Sequence, residues 1–337
     1  MATKTMSTST YRDVLKRAFK ITKEHKFLWF FGFFAAFLGV GGELEPLFKY
    51  YTEVAETSQG VFSLQSIFQG GLITSLLGNT KLFFSTYPVQ AFFFLLMILV
   101  IAIVLLWLAI VSQIALFDAA KKITSNKQLN YHDSYKAGNQ HFGSVLLINI
   151  IVKVVLYGLV IVIGAPLLTW FLLQNNIWGA FLFILLIFFI LIPASIIISF
   201  IVRYAIAYIV IKGEKTGQAV KLAWSLFKKN WLISIEMALI ILVIGVCVGL
   251  VMAIAIGLAS VPFIFIGIAA LFFGSNVGLS VAIVLGTVTW SVIVAVLGAA
   301  YVTFQYTAWA LLFLRLDSEK AQSKLMRWFG KLTPSKA

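Results

Sequence analysis

Long apolar runs that directly follow basic amphipathic stretches constrain this chain more than any other feature. The run at residues 91–116 contains no charged residue. As a helix it would be about 39 Å long, whereas about 20 apolar residues already cross a bilayer core of about 30 Å. Apolar residues make up 61% of the chain and charged residues 11%, which is far from the composition of a soluble globular domain. We therefore predict an all-α integral membrane protein with a single domain at residues 1–337.

Six transmembrane helices are predicted from these runs. They cover residues 27–41, 87–117, 144–173, 177–211, 231–258 and 277–314. The apolar segment 260–275 is short, and counting it as a seventh span would place the basic tail outside the cell. We therefore predict that it is re-entrant or interfacial. Whether segments 27–41 and 260–275 cross the membrane completely stays open at this stage.

The distribution of lysine and arginine predicts the orientation. These residues cluster before the first span, in 118–143, in 203–230 and after residue 314, whereas residues 42–86 contain only Lys49 and Lys81 beside four glutamates. By the positive-inside rule both termini face the cytoplasm of a bacterial inner membrane. Because the basic residues adjoin apolar spans, this topology accounts for the net charge of +14 without a nucleic-acid partner.

The chain also repeats itself. We predict three hairpins related as parallel repeats, at about 10–117, 130–211 and 216–314, each opened by a basic amphipathic interfacial helix, with an amphipathic tail at 315–337. Aligning the first and third repeats pairs Lys16 with Lys221, Ala18 with Ala223, Phe19 with Trp224 and Lys23 with Lys228; in the second repeat, Lys136 and Gly138 take the places of Lys16 and Ala18. The second span of each hairpin, which we call its returning span, carries a pair of polar or aromatic residues four positions apart. These pairs are Gln113 and Phe117, Tyr204 and Tyr208, and Gln305 and Trp309.

Each opening helix is expected to lie at the inner membrane interface. Its lysines would face anionic headgroups, and its apolar stripe, which is Tyr11, Val14, Leu15, Ala18 and Thr22 in the first repeat, would enter the acyl boundary. The candidate lipid-facing residues are Lys16, Arg17, Phe19, Lys23, Lys136, Lys221, Trp224, Lys228, Lys229 and Trp328. The simpler alternative is that these helices only anchor the topology.

Two charged residues lie deeper in the spans, Lys153 in the third and Glu236 in the fifth. Charges in a bilayer usually pair or line a cavity, so we predict that they pair across the bundle. The alternatives are that both reach the inner interface or that they form a proton or ion relay. Span five also carries small residues at Gly245, Gly249, Ala253 and Gly257. That spacing predicts a close helix–helix contact, within the chain first and in a dimer second.

Catalytic chemistry is not indicated by the sequence. The three histidines have no metal-ligand spacing, and neither a phosphate-binding loop nor a nucleophile elbow is present. We therefore predict no catalytic, cofactor-binding or metal-binding residue. The favoured function is a non-catalytic protein that organises or senses the bilayer, or scaffolds a protein partner or a second copy. The alternative is a transporter or permease component with a pathway near Lys153 and Glu236.

Residues 17–37 (RAFKITKEHKFLWFFGFFAAF) and 217–242 (GQAVKLAWSLFKKNWLISIEMALIIL) carry a resemblance to known proteins. Through this succession of a basic amphipathic helix and a span, most of the chain resembles the membrane domain of some glycerophosphoryl diester phosphodiesterases and related bacterial polytopic families. In those enzymes the catalysis belongs to a separate soluble barrel domain. The resemblance therefore implies an architecture and no catalytic residue.

Overall fold

The computed structural model describes residues 10–38, 88–125, 131–174, 185, 189–190 and 192–318. Every element within these ranges is helical: α1 (Thr10–Glu24), α2 (Leu28–Ala36), α3 (Pro88–Thr124), α4 (Tyr131–Gln140), α5 (Phe142–Gln174), α6 (Ile192–Ala207) with a π turn at Tyr208–Lys212, α7 (Thr216–Phe272) and α8 (Asn276–Ser318). Five helical stretches are long and apolar enough to cross a membrane, in α3, α5, α6 with its π turn, α7 and α8. The chain is therefore an all-helical, multi-pass membrane protein.

The helices agree with most of the predicted spans. Helices α3, α5 and α8 cover the second, third and sixth spans, and α6 with its π turn covers the fourth from residue 192. The described part of the first predicted span is α2, which has nine residues. The rest of that span, the loop 42–86, the start of the fourth span and the tail from residue 319 onwards, including Trp328, lie outside the described residues.

The fifth span differs from its prediction. After a kink at Asn230, helix α7 continues through residues 231–258 and on to Phe272, so 260–272 is a continuation of this helix and not a separate re-entrant or interfacial piece. Pro262 lies inside the helix and removes one backbone hydrogen bond. A helix surrounded by lipid continues past such a residue because its other backbone groups have no water to bond. The chain turns at Gly274, whose φ of 63° favours glycine.

Each basic helix ends in a break that directly precedes an apolar helix. Residues 25–27 separate α1 from α2, and His141 separates α4 from α5. In α7 the break is Asn230, whose φ of −128° and ψ of 27° are not helical. The side chain of Asn230 donates to the carbonyl of Leu226 at 3.1 Å, which satisfies one acceptor near the kink. The breaks let each amphipathic helix leave the axis of the helix that follows.

The chain divides into two compact units. The larger contains Met1–Gly41, Ala109–Gly158 and Ile197–Ala337, and the smaller contains Gly42–Leu108 and Leu159–Ile196. In the smaller unit the apolar side chains at 92–101 of α3 are exposed around the whole helix, as expected of a surface that faces lipid. In the larger unit α1, α2 and α7 pack on α8. The antiparallel packing of α7 on α8 brings Trp290 Nε1 within 2.9 Å of Ser260 Oγ.

Helices α2 and α8 approach each other closely at Gly32. A Cβ added at Gly32 would overlap the hydroxyl of Thr303 and the backbone carbonyl of Ala299. We therefore expect Gly32→Ala to force the helices apart and to lower the free energy of unfolding by about 1–3 kcal/mol, the usual cost of overpacking. The thermal midpoint of the detergent-purified protein measures this loss.

Gly249→Ala is the matched control, because nothing lies within 4 Å of a Cβ at Gly249. Its thermal midpoint should equal or exceed that of the wild type, since alanine favours helix more than glycine does. Equal midpoints for the two variants would contradict the close contact.

Candidate functional site

Buried aromatic residues from the ends of α3, α6 and α8 meet at the basic end of the larger unit. Phe117 of α3 contacts Tyr306 of α8, with ring centroids 5.9 Å apart. Trp309 of α8 lies 5.6 Å from Phe200 and 6.2 Å from Tyr204, both in α6. All five side chains are almost completely buried. The three helices therefore share one packed centre, and the six residues of the predicted returning pairs, at 113, 117, 204, 208, 305 and 309, are all buried.

The helices that open the second and third predicted repeats pack on the returning helix of the repeat before. A Cβ at Gly138 of α4 would lie 2.6 Å from Val111 Cγ1 of α3, and Asn149 of α5 donates to Gln113 Oε1 of α3 at 3.2 Å. In the same way Ser234 of α7 lies 2.7 Å from the hydroxyl of Tyr204 in α6. Small or short polar residues allow each of these approaches.

The first predicted repeat packs on the third. Thr303 Oγ1 of α8 donates to the carbonyl of Leu28 in α2 at 3.1 Å, which links the two helices. Trp29 Nε1 donates to the carbonyl of Thr22 at 2.8 Å and spans the break between α1 and α2. Together with the two contacts above, this one closes a ring in which each opening segment contacts a returning helix.

Among the described residues, some buried polar groups of the packed centre are hydrogen-bonded, and others are not. Gln113 lies in a network, since its amide donates to the Tyr306 hydroxyl at 3.3 Å and its carbonyl accepts from Asn149. Gln305 Nε2 and Trp309 Nε1 are equally buried but make no hydrogen bond within the part of the chain that the structure describes. The guanidinium of Arg203 lies 4.8 Å from the centre of the Trp309 ring, in a cation–π contact.

The structure does not bring Lys153 and Glu236 together. Glu236 accepts a hydrogen bond from the hydroxyl of Tyr11 in α1. Lys153 is exposed on α5, and among the ion pairs of the described residues none joins it to Glu236. The carboxylate in the fifth span therefore binds the first amphipathic helix, a partner that lies outside the spans.

The predicted lipid-facing residues fall on the exposed surface wherever the structure describes them. Phe19 is 63% exposed and Trp224 45% exposed. The basic residues around them are exposed as well, namely Lys16, Arg17, Lys23, Lys136, Lys221, Lys228 and Lys229. Lys228 Nζ lies 5.9 Å from the centre of the Trp224 ring. These residues form the basic surface, a name we use below for this set.

The apolar stripe of α1 does not face lipid, contrary to expectation. Four of its five residues, Tyr11, Val14, Ala18 and Thr22, are at most 6% exposed and Leu15 is half-buried, because this side of α1 packs on α8 and α7. Lipid cannot reach a surface that is already covered by protein. Lipid contact of α1 is therefore left to its opposite side, which carries Phe19 and the basic residues.

The small residues of α7 are only partly in contact. A Cβ at Gly245 would lie 2.5 Å from the hydroxyl of Tyr301 in α8, so this position fits the predicted contact within the chain. No atom of the described residues lies within 4 Å of a Cβ at Gly249 or Gly257, and Ala253 is exposed. The structure thus gives one of the four positions a helix partner.

The pKa of His141 lies below its ordinary value. The main cause is burial, which disfavours the charged ring, and nearby Lys121 acts in the same direction while Asp118 opposes it. Asp118 forms an ion pair with Lys122 at 2.7 Å. A neutral imidazole at pH 7 suits its position at the break between α4 and α5, beside several lysines.

The sequence did not indicate that Tyr11 would be the partner of Glu236 or that Tyr204 would contact Ser234. No group of three or more His, Cys, Asp or Glu side chains within the described residues could hold a metal ion. No protein-family model, curated protein or solved structure matches the chain. The resemblance to the phosphodiesterase membrane domain therefore stays a prediction.

Double-mutant cycles distinguish the two proposed partners of Glu236. The effects of Tyr11→Phe and Glu236→Gln on the free energy of unfolding should be coupled. Tyr11→Phe removes the donor of their hydrogen bond, and Glu236→Gln removes the charge of its acceptor. We expect a coupling energy of about 0.6 kcal/mol or more. Lys153→Gln and Glu236→Gln should be additive in the same unfolding assay. Coupling in the second cycle and additivity in the first would favour the ion pair that the sequence predicted.

The two buried glutamines should respond in opposite ways to replacement by leucine. Gln113→Leu removes the hydrogen bonds that Gln113 makes with Asn149 and with Tyr306, so we expect a loss of about 1–3 kcal/mol in unfolding free energy. Gln305→Leu removes an amide nitrogen that has no partner among the described residues, so its stability should be unchanged or higher. Thermal unfolding followed by near-UV circular dichroism measures both, and an equal loss in both variants would contradict this assignment.

Proposed function

We propose that this chain is a non-catalytic, multi-pass protein of a bacterial inner membrane, which organises or senses the anionic cytoplasmic leaflet or scaffolds a partner there. The observation that carries this proposal is shared by the first and third predicted repeats. In each, a fully buried alanine, Ala18 or Ala223, is followed by an exposed aromatic residue, Phe19 or Trp224. Exposed lysines flank both aromatic residues.

An exposed aromatic ring among lysines is suited to a membrane interface. Aromatic rings of tryptophan and tyrosine concentrate at headgroup depth, and long basic side chains keep their charge at the surface while their stems lie on apolar material. Each Lys or Arg near an acidic leaflet contributes about 1 kcal/mol of attraction. The basic surface contains seven such residues, all exposed.

The packed centre supports a scaffold over a transport pathway. Trp309, Tyr204, Phe117 and Phe200 fill the region where α3, α6 and α8 meet. A groove of about 450 Å³ lies elsewhere, along one side of the start of α8, and is lined mainly by Val277, Val281, Val284 and Leu285. Transport would need polar groups that line a continuous path, and Lys153 and Glu236 are separate.

The ring of contacts supports the three repeats and the orientation. Each opening segment packs on a returning helix, as copies related by an axis along the membrane normal would do. The three basic helices then lie at the same end of the larger unit, and the positive-inside rule places that end in the cytoplasm. This arrangement presents the basic surface to one leaflet.

Reconstitution with spin-labelled lipids tests the proposal. The wild-type protein should immobilise an anionic lipid in preference to a zwitterionic one, and the preference should decrease as salt rises because the charges are exposed. Replacing Lys16, Arg17, Lys23, Lys221, Lys228 and Lys229 together by glutamine should remove most of the preference. Lys153→Gln, which removes an exposed lysine outside the basic surface, is the matched control and should retain it. Absence of anionic preference in the wild type, or its persistence in the six-residue variant, would refute the proposal.

A further inference from the structure

We propose that the basic surface contains two discrete binding sites, each for the phosphate headgroup of one anionic phospholipid. This inference rests on the proposed function and specifies the ligand and the number of ligand molecules bound. Site one consists of Lys16, Phe19 and Lys23 on α1. Site two consists of Lys221, Trp224 and Lys228 on α7. We call each set a lysine–aromatic clamp.

The two clamps have the same spacing, with the aromatic residue three positions after the first lysine and the second lysine four positions after the aromatic residue. At about 100° per residue, these three positions lie within about 60° of one another around the helix axis. The two lysines stand about 10.5 Å apart along the axis, with the aromatic ring between them. All six side chains are on exposed positions, so each clamp forms one face that lipid can reach.

The lysines of the clamps are free to bind a ligand. The ion pairs among the described residues use Lys20, Lys122 and Lys212 and leave the four clamp lysines without an acidic partner. In site two the ammonium of Lys228 is already held 5.9 Å from the Trp224 ring, so the ring and the charge act at one place. In both sites the neighbouring alanine is buried, which fixes the direction in which the aromatic residue points.

This geometry suits a phospholipid better than a soluble anion. Two ammonium groups donate to phosphate oxygens, which accept hydrogen bonds only. The ring between them needs an apolar neighbour, which the glycerol and acyl region of the same lipid provides and a free phosphate does not. Zwitterionic lipids also carry a phosphate, but their own cationic group competes with the lysines. The clamp therefore selects a headgroup with net negative charge.

The second predicted repeat lacks a clamp. Counting from Lys136, the same spacing gives Asn139 and Gly143 in place of the aromatic residue and the second lysine. In addition, α4 ends at Gln140, so the helical geometry does not extend to Gly143. The chain should therefore bind two anionic lipids tightly, although it has three basic helices.

Native mass spectrometry of the full chain, with phosphatidylglycerol added to protein stripped of lipid, tests this number. The wild type should show two tightly bound phosphatidylglycerol molecules and none with phosphatidylcholine under the same conditions. The double variants Phe19→Ala with Lys23→Gln, and Trp224→Ala with Lys228→Gln, should each retain one. Each lysine replacement should weaken binding at its own site about fivefold.

Two controls separate the clamps from general charge and from folding. Lys136→Gln with Asn139→Ala removes the same charge from the second repeat and should retain two lipids. Trp224→Phe copies the ring of site one and should also retain two, whereas a loss here with an unchanged thermal midpoint would refute the clamp chemistry. Clamp variants that keep both lipids, or a second-repeat variant that loses one, would equally overturn the inference. A wild-type protein that prefers anionic lipid in membranes but does not bind two phosphatidylglycerol molecules would refute the clamps and leave the proposed function standing. A wild-type protein without any preference for anionic lipid would refute both the clamps and the proposed function.

Discussion

Close contact between helices at small residues is the interaction on which the rest of this structure depends. Lipid tails are as apolar as leucine, so the hydrophobic effect does not drive helices together inside a bilayer, and close packing with a few interhelical hydrogen bonds must do so. Gly32 and Gly138 allow backbone or side-chain atoms of the neighbouring helix to occupy the place of a Cβ. Thr303, Asn149 and Ser234 then add one interhelical hydrogen bond at each of the three interfaces. Without these approaches, the buried aromatic centre would have no lateral support.

Composition and apolar run length were sufficient to predict an all-helical membrane protein and most of its spans, because a bilayer imposes the length of the helix that crosses it. They were not sufficient to assign partners. Depth along a helix can be counted from the sequence, which is why Lys153 and Glu236 were both placed within the spans. The direction in which each side chain points depends on which helices are neighbours. Glu236 bonds Tyr11 of α1, the first basic helix, a residue whose position gave no sign of this role.

The apolar stripe of α1 shows a second limit of the same kind. An amphipathic basic helix beside a span has the same pattern whether its apolar side enters lipid or packs on protein. The distinguishing signal was present in the sizes of the residues. Ala18, Gly138 and Ala223 occupy aligned positions and are all buried, as a helix–helix contact requires, whereas a lipid-facing stripe would favour larger side chains. The continuation of α7 to Phe272 was missed for a different reason, since 260–275 is short and a seventh span would have placed the basic tail outside the cell.

The length of α7 is consistent with the burial pattern at the basic end. From Asn230 to Phe272 the helix is about 63 Å long, twice the hydrocarbon thickness. Its first three turns carry Ser234 and Glu236, whose partners are Tyr204 of α6 and Tyr11 of α1. The polar side chains of these turns suit the headgroup region. About 47 Å then remain, and a tilt of 40°, at the upper end of the usual range, reduces this length to about 36 Å across the membrane. The polar contacts thus lie where the helix is too long for hydrocarbon.

Helix packing and lipid binding are linked through neighbouring residues on the same helix. Successive side chains on a helix differ in direction by about 100°, so burying Ala18 against α8 sets the direction of Phe19, and burying Ala223 does the same for Trp224. A lipid that binds only when these aromatic residues are held in place must stabilise the docked helix by its own binding free energy, and the docked helix must in turn favour the lipid by the same amount. For α1 this docking also closes the ring of helix contacts through Gly32, Leu28 and Thr303. Under the proposed function, the lipid composition of one leaflet and the packing of the larger unit are therefore coupled, so that each affects the other by the same free energy.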